Sequence, residues 1–476
     1  MSSLKFGTSG LRGLVVDLVG GPSRDWTTAF LQHLSASGAA PASREILVGR
    51  DLRSSSPAIA RDCLEAAAAL GWRAIDCGAL PTPALALDAL RRGAAAVMVT
   101  GSHIPDDRNG LKFYRPDGEI TKQDEEGIRA AFEAEPDAAA TSADGAIETG
   151  EGAVERYVAR YVDFFGPQAL AGLRVGVYQQ SSVARDVLTD GLARLGATVT
   201  PLARADSFIP VDTEAHRPED VELLAVWGAE GRFDAIVSTD GDADRPLVAD
   251  ETGRVVRGDL VGLLTARQLG ASVVVTPVTS SSSMERAPFL DAVRRTRVGS
   301  PFVISGMEEA LGETTGVVVG FEANGGVLLG SDVEIGDRRL AAMPTRDAFL
   351  PIVCVLAQAK SAGQSVSQVV AGLKAGSAAA DRLQEVPSER SRAFLARLAE
   401  MPGAADALFA EKGGVAAINT FDGVRITAGD GSIVHYRPSG NAPELRCYVE
   451  AADDGAAARL LKWGLTMASA EISREA

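Results

Sequence analysis

Cysteine is scarce in this chain of 476 residues: Cys63, Cys77, Cys354 and Cys447 are scattered, with no Cys-x-x-Cys pair and no histidine at ligand spacing. That excludes a zinc framework and a disulfide scaffold, and leaves reduced structural thiols. There are only four histidines and no Gly-x-Ser-x-Gly elbow, so no Ser-His-Asp arrangement suggests itself. Aromatic residues make up 5% against 50 Gly, which implies small side chains and many tight turns. No run of about 18 apolar residues occurs, and residues 1–6 lack a basic segment followed by an apolar stretch, so a cytoplasmic protein without a membrane partner is expected. The formal net charge of −16 argues against a nucleic-acid partner and gives no general attraction for anions. Any phosphate ligand must therefore be held by local arginines.

With 46% hydrophobic and 23% charged residues the composition is that of a globular protein, too long for one core. Apolar runs of strand length alternate with amphipathic helical windows, which is the α/β pattern. In the first unit, 45–49, 72–77 and 95–100 read as strands and 57–70 and 83–92 as helices, while 133–152 has no periodicity and reads as a linker. The second unit has helix 154–164, strand 173–178, helix 184–195 and a strand ending at Asp240. The third has helix 259–269, strand 272–276, helix 283–295 and strand 316–321. From about residue 375 the signal changes, because helix 389–400 precedes an alternating stretch, 418–436, of antiparallel type. The expected domains are 1–148, 149–250, 251–372 and 373–476.

The most informative feature is Asp240-Gly-Asp242-Ala-Asp244-Arg245, directly after the apolar run 233–238. Alternate residues of an extended segment point the same way, so three carboxylates converge and call for a hard divalent cation. A calcium loop of the EF-hand type competes, since Glu251 falls at position twelve, but position six is Arg245 followed by Pro246 and the flanks read as strands. An acid triad followed by arginine suits magnesium beside a phosphate. Thr100-Gly-Ser102-His103 and Glu322-Ala-Asn324-Gly also follow strands directly, and ligands bind at the carboxyl ends of strands in open parallel sheets. Three similar edges are thus expected to face one cleft. Taken alone, Ser102 is a turn serine; Lys112 interrupts an apolar stretch, where a charge needs a reason, with a snorkelling edge lysine as the competing reading; and Glu322, after a strand and before glycine, suits a carboxylate accepting from sugar hydroxyls better than a plain surface acid.

Phe6-Gly-Thr-Ser-Gly-Leu-Arg-Gly13, Thr100 to Pro105, Asn109-Gly-Leu-Lys112, Asp240 to Arg245, Gly320-Phe-Glu-Ala-Asn-Gly325 and Arg437-Pro-Ser-Gly440 stand in an order and spacing that resembles the α-D-phosphohexomutase family over almost the whole chain. The resemblance implies three related mixed-sheet α/β domains and a C-terminal α+β domain around a central cleft. It implies that Ser102 carries the transferred phosphoryl group and that Asp240, Asp242 and Asp244 hold Mg2+ together with an oxygen of the modified Ser102. Lys112 is implied as an acid/base group, and Glu322 and Asn324 lie in the sugar-binding loop. Arg437, Ser439, Gly440 and Asn441 would grip the phosphate that does not react. Thr8 and Ser9 of the first motif are counted with the substrate-binding residues, and His103 with the catalytic ones. Arg12 and Arg245 are suited to charge developing on a phosphoryl group in flight.

The chain departs from the family at Gly101, usually Ala, at Ile104, usually Asn, and at Asn441-Ala442, usually Thr-Glu. Asn324 stands where Ser is frequent, in the loop that bears on the accepted epimer. The expected activity is interconversion of mannose 6-phosphate and mannose 1-phosphate through phosphoserine and a hexose 1,6-bisphosphate, by a monomer or homodimer. Glucose or dual specificity, glucosamine phosphate, and a phosphosugar-binding protein without turnover are the alternatives.

Overall fold

Residues 2–7, 10–134, 145–401, 403–439 and 443–474 are described by the computed structural model. They form two compact units, one of Met1–Val275, Phe289–Arg294 and Gly299–Val370, the other of Thr276–Pro288, Arg295–Val298 and Ala371–Ala476.

Three sheets make up the framework of the first unit. The apolar runs Glu45–Arg50 and Ala95–Val99 become parallel neighbours, and Arg73–Ala79 joins on the other side of Glu45–Arg50. Burial on both faces is what continuous apolar strands require. Helices Pro22–Ser37 and Ser56–Ala69 place Phe30, Leu34, Ile59 and Cys63 in one core with Ile46, Val48, Val97 and Val99. Pro57 stands in the first turn of the second of these helices, where its missing N–H costs nothing. The next sheet runs in the order Thr198–Arg204, Arg174–Gln180, Ala235–Thr239, Pro246–Ala249. The third runs Ala292–Thr296, Ala271–Pro277, Val317–Phe321, Val327–Leu329, Met343–Asp347.

Two expectations are corrected. The window 283–295, read as a helix, is a 3-10 turn at Met284–Arg286 followed by the edge strand Ala292–Thr296. Pro288 cannot continue a helix, and Arg295 turns back to donate to the carbonyls of Pro277, Ser280 and Ser281 at 3.0, 2.8 and 2.8 Å. The expected linker 133–152 contains the strand Ile147–Thr149, parallel to Arg73–Ala79. An open sheet edge offers unpaired N–H and C=O groups, and Arg73 adds an ion pair to Glu148 at 2.6 Å. Residues 135–144 of that window lie outside the described residues.

The second unit holds an antiparallel sheet in the order Ser377–Leu383, Leu445–Ala451, Ile433–Pro438, Val424–Ala428, Val415–Asn419. Helix Ser388–Glu400 supplies Phe394 and Leu398 to its core, against Val434, Tyr436, Cys447 and Val449. The loops 276–288 and 295–298 join this unit: Glu450 accepts from the Ser282 N–H and hydroxyl at 2.9 and 2.6 Å, and Asp422 from the Val298 N–H at 2.9 Å. Among the described residues no helix is long and apolar enough to cross a membrane.

Candidate active site

In each of the three framework sheets a parallel strand turns back into an antiparallel partner, and the polar motif occupies the connection. Ala95–Val99 returns as Arg108–Arg115, Ala235–Thr239 as Pro246–Ala249, and Val317–Phe321 as Val327–Leu329. Residues 100–107, 240–245 and 322–326 are therefore equivalent loops at carboxyl strand ends, the position at which such sheets bind ligands. Strands on both sides of Asp240–Arg245 remove the calcium-loop reading, which needs helices.

Ser102 is buried, in the left-handed region at φ 55°, and its Oγ donates to Asp240 Oδ2 at 2.5 Å. Asp240, Asp242 and Asp244 are buried with one carboxylate oxygen of each within 4.8 Å of the others. Their surroundings are strongly polarised. Burial and then the charges of Asp242 and Asp244 push the Asp240 carboxyl well above the usual carboxylate range. Burial also acts to raise Asp244, but Arg346, Lys112 and Arg245 outweigh it and hold the group well below that range. Lys112, on the antiparallel strand, donates to Asp242 Oδ2 and Asp244 Oδ2 at 2.6 Å each. A buried charge between Leu111 and Phe113 thus has its reason. Thr82, at the start of helix Thr82–Arg92, donates to Asp242 Oδ2 at 2.5 Å.

The other oxygen of Asp242 and of Asp244 is buried with no hydrogen-bond partner. Buried carboxylate oxygens are rarely left so. An oxygen-only donor set with two such atoms fits a hard divalent cation, so the triad can hold a metal.

Guanidinium groups border the acids. Arg245 Nη1 donates to His103 Nδ1 at 3.0 Å, and that nitrogen lies 3.2 Å from Ser102 Oγ. Since Nδ1 accepts from an arginine, the ring proton of neutral His103 sits on Nε2, 3.8 Å from Asp212 Oδ2. Burial and Arg245 lower His103 to about 3. Arg12 is lowered to about 10 by burial and by Arg245 and Arg346, and its Nη2 is buried without a hydrogen-bond partner; Arg245 Nε likewise makes no hydrogen bond and lies 3.7 Å from Asp244 Oδ1. Guanidinium N–H groups that make no hydrogen bond can hold phosphoryl oxygens.

In the third loop Glu322 accepts from Arg346 at 2.7 Å. Asn324 spends its Oδ1 on closing the turn, accepting from the Gly326 N–H at 3.0 Å. The structure therefore brings together Ser102, His103, Lys112, Arg12, Asp240, Asp242, Asp244, Arg245, Glu322 and Asn324 in the first unit. Arg437 and Ser439 belong to the second, where Arg437 Nε donates to Asp422 at 3.0 Å and the Ser439 N–H to the Glu444 carbonyl at 2.9 Å. Thr8, Ser9, Gly440 and Asn441 lie outside the described residues. Sequence reasoning missed Arg346, Asp212 and Thr82. Arg346 carried little signal, since its strand Met343–Asp347 reads Met-Pro-Thr-Arg-Asp and shows no apolar run for a charge to interrupt.

Repeated α/β sheets that deliver a buried serine, an acid triad and a carboxylate loop to equivalent strand ends define a phosphohexomutase-class enzyme. The phosphoglucomutase/phosphomannomutase family models match in order: alpha/beta/alpha domain I at residues 3–139, domain II at 155–253, domain III at 257–375 and the C-terminal domain at 385–462. A phosphomannomutase of Sinorhizobium fredii (strain NBRC 101917 / NGR234) is 48% identical over 98% of this chain and 99% of its own length. One of Salmonella muenchen is 40% identical over 99% and 97%. A phosphoglucosamine mutase of Halorhodospira halophila is 28% identical over 96% and 95%. In fold, the crystal structure of a phosphoglucomutase/phosphomannomutase family protein from Burkholderia thailandensis matches with a TM-score of 0.73 at 20% identity, covering 98% of this chain and 97% of that one. The chain belongs to the phosphoglucomutase/phosphomannomutase family. It is a mutase, an isomerase that acts on a phosphosugar.

Proposed function

We propose that this mutase interconverts mannose 6-phosphate and mannose 1-phosphate with Ser102 as phosphoryl carrier. The observation that carries the reading is the short bond from the Ser102 hydroxyl to Asp240, inside a triad with two unpartnered oxygens. Mannose is favoured because the relatives at 48% and 40% identity are phosphomannomutases.

In the forward half-reaction the bond between phosphorus and Ser102 Oγ breaks, a bond from phosphorus to the free sugar hydroxyl forms, the hydroxyl proton passes to a base, and Ser102 Oγ takes up a proton as it leaves. Lys112, which borders Asp242 and Asp244, is assigned that exchange. The product is a hexose 1,6-bisphosphate, which reorients by about half a turn so that its other phosphate returns to Ser102. Charge spread over the phosphoryl oxygens in a loose transition state is met by Arg12 and Arg245. Asp240, Asp242, Asp244 and an oxygen on Ser102 would hold Mg2+, which supplies Lewis-acid stabilisation of the same charge when bound. Glu322 accepts from sugar hydroxyls, and Arg437, Ser439, Gly440 and Asn441 grip the idle phosphate.

Turnover of mannose 1-phosphate, glucose 1-phosphate and glucosamine 1-phosphate in the presence of Mg2+ and glucose 1,6-bisphosphate tests the reading. Mannose 1-phosphate is expected to have the highest kcat/KM, and Ser102→Ala and Asp242→Ala to abolish turnover. Wild-type rates in either variant would overturn the mechanism; a higher kcat/KM for another sugar would overturn the substrate.

A further inference from the structure

The loop that carries Ser102 is wrapped around a buried guanidinium. Arg53 follows strand Glu45–Arg50, and its side chain is wholly inaccessible to solvent. All five of its N–H groups are used. Nε donates to Asp51 Oδ2 at 3.1 Å. Nη1 donates to the carbonyls of Pro105 and Arg108 at 2.7 and 3.0 Å, and Nη2 to those of Ser102 and Ile104 at 2.9 and 2.5 Å. The guanidinium lies over the Phe208 ring, 3.9 Å from its centre. It also packs on Gly101, where a Cβ would stand 2.7 Å from Arg53 Cζ.

A closed ring of hydrogen bonds passes through the backbone of Ser102. The Ser102 N–H donates to Thr100 Oγ1 at 2.8 Å, and Thr100 Oγ1 donates to Asp51 Oδ2 at 2.7 Å. The same oxygen of Asp51 accepts Arg53 Nε, and Arg53 Nη2 returns to the Ser102 carbonyl. Ser102 stands at φ 55°, which a residue with a side chain adopts only where its surroundings hold it there. Phe208 extends the support to the metal loop, since a Cβ on Gly241 would meet its ring at 3.0 Å and the Ser102 carbonyl at 2.8 Å. Taking a guanidinium wholly out of water is costly unless every donor is used, and here four of its five bonds go to backbone carbonyls between Ser102 and Arg108.

We propose that Arg53 is a positioning residue for phosphoryl transfer: with Asp51 and Thr100 it fixes Ser102 in the left-handed conformation that aims Oγ at Asp240. This rests on Ser102 being the phosphoryl carrier. Arg53 touches neither sugar nor phosphate in this role, so its loss acts on the reaction at Ser102 and not on sugar affinity. Its planar fork matters as well as its charge, because an ammonium has three donors and cannot span the five acceptors.

The test compares Arg53→Lys and Thr100→Val with wild type, the second removing one hydroxyl from the ring at nearly constant volume. Quenched-flow intact mass reads the rate at which Ser102 gains phosphate from glucose 1,6-bisphosphate, steady-state kinetics reads kcat and KM for mannose 1-phosphate, and circular dichroism reads the folded fraction. The expected result is a fall of about 10- to 100-fold in phosphorylation rate and kcat in both variants, with KM within about twofold and the folded fraction unchanged. Wild-type phosphorylation rates in both variants, or a kcat that falls only with the folded fraction, would overturn the role of Arg53. A wild-type protein that gains no phosphate on Ser102 would overturn the carrier reading itself, and the Arg53 role with it.

Discussion

Arg346 places two N–H groups on a single oxygen of Asp244, Nη2 at 2.7 Å and Nε at 3.1 Å, while its Nη1 reaches Glu322 at 2.7 Å. One buried guanidinium thus ties the loop of the acid triad to the carboxylate loop of the next sheet. Arg346→Lys keeps the charge but cannot reach both carboxylates at once. A fall in kcat/KM of about 100-fold is expected, because a displaced carboxylate misorients the sugar. Arg346→Met should also cost about 3–5 kcal/mol of stability by leaving buried carboxylates without their partner. Steady-state kinetics and thermal unfolding read the two effects separately; wild-type kcat/KM in the lysine variant would show that the bridge is idle.

Lys112 is bonded, through their Oδ2 atoms, to two of the carboxylates that would hold a metal. Its ammonium lies 2.6 Å from Asp242 Oδ2 and from Asp244 Oδ2. Removing a fixed positive charge at that range strengthens binding of another cation. Lys112→Met is therefore expected to bind Mn2+ about tenfold more tightly by calorimetry, while kcat falls more than KM changes. Weaker Mn2+ binding in the variant would contradict this effect, and an unchanged kcat would remove the acid/base role.

Asp124 supplies a pH-dependent stability term away from the site. It closes the capping box of helix Lys122–Glu133 and meets His33 Nε2 at 2.9 Å. Burial acts to raise its carboxyl, but His33, the Thr121 N–H and hydroxyl, and Arg115 outweigh it and hold the group below its ordinary value of 3.8. With the folded pKa below the unfolded one, the contribution is present above the unfolded value and is lost as pH falls through the folded one. Asp124→Asn should cost about 1–3 kcal/mol near neutral pH. The difference from wild type should shrink below about pH 4. Urea unfolding across that range checks it, and an equal deficit at both ends would show that ionisation contributes nothing.

The four thiols should be inert in the native state. Burial pushes Cys63, Cys77 and Cys447 up to about 12, and Cys354 well above its usual range. Only the thiolate attacks a disulfide reagent, so Ellman's reagent near pH 8 is expected to label less than one thiol per chain before denaturation and all four after it. Rapid labelling of the native protein would contradict this.

Much of the fold was legible because its strands are buried on both faces and therefore read as unbroken apolar runs, as in Ala95–Val99 and Val317–Phe321. The window 283–295 misled because its helical spacing says nothing of Arg295, whose donors are drawn to three loop carbonyls. The strand Ile147–Thr149 was hidden for a related reason: three exposed residues carry no pattern, and only the open edge at Arg73–Ala79 makes them a strand.

The site divides in the same way. By themselves, residue types and spacing determined that three acids converge after a strand, that Ser102 and Glu322 follow strands of their own, and that Lys112 stands where a charge needs a reason. The spacing of the three acids is a local fact, but the segment is a tight turn with Ala243 at φ 62°, not the extended chain expected from the alternation, so the way they converge is set by the loop. What those groups face was decided only by the tertiary structure: Ser102 on Asp240 across 138 positions, Lys112 on Asp242 across 130, Arg346 on Asp244 across 102. Such bonds form where separate sheets bring their carboxyl edges together, and no local pattern encodes which buried cation will meet which buried anion.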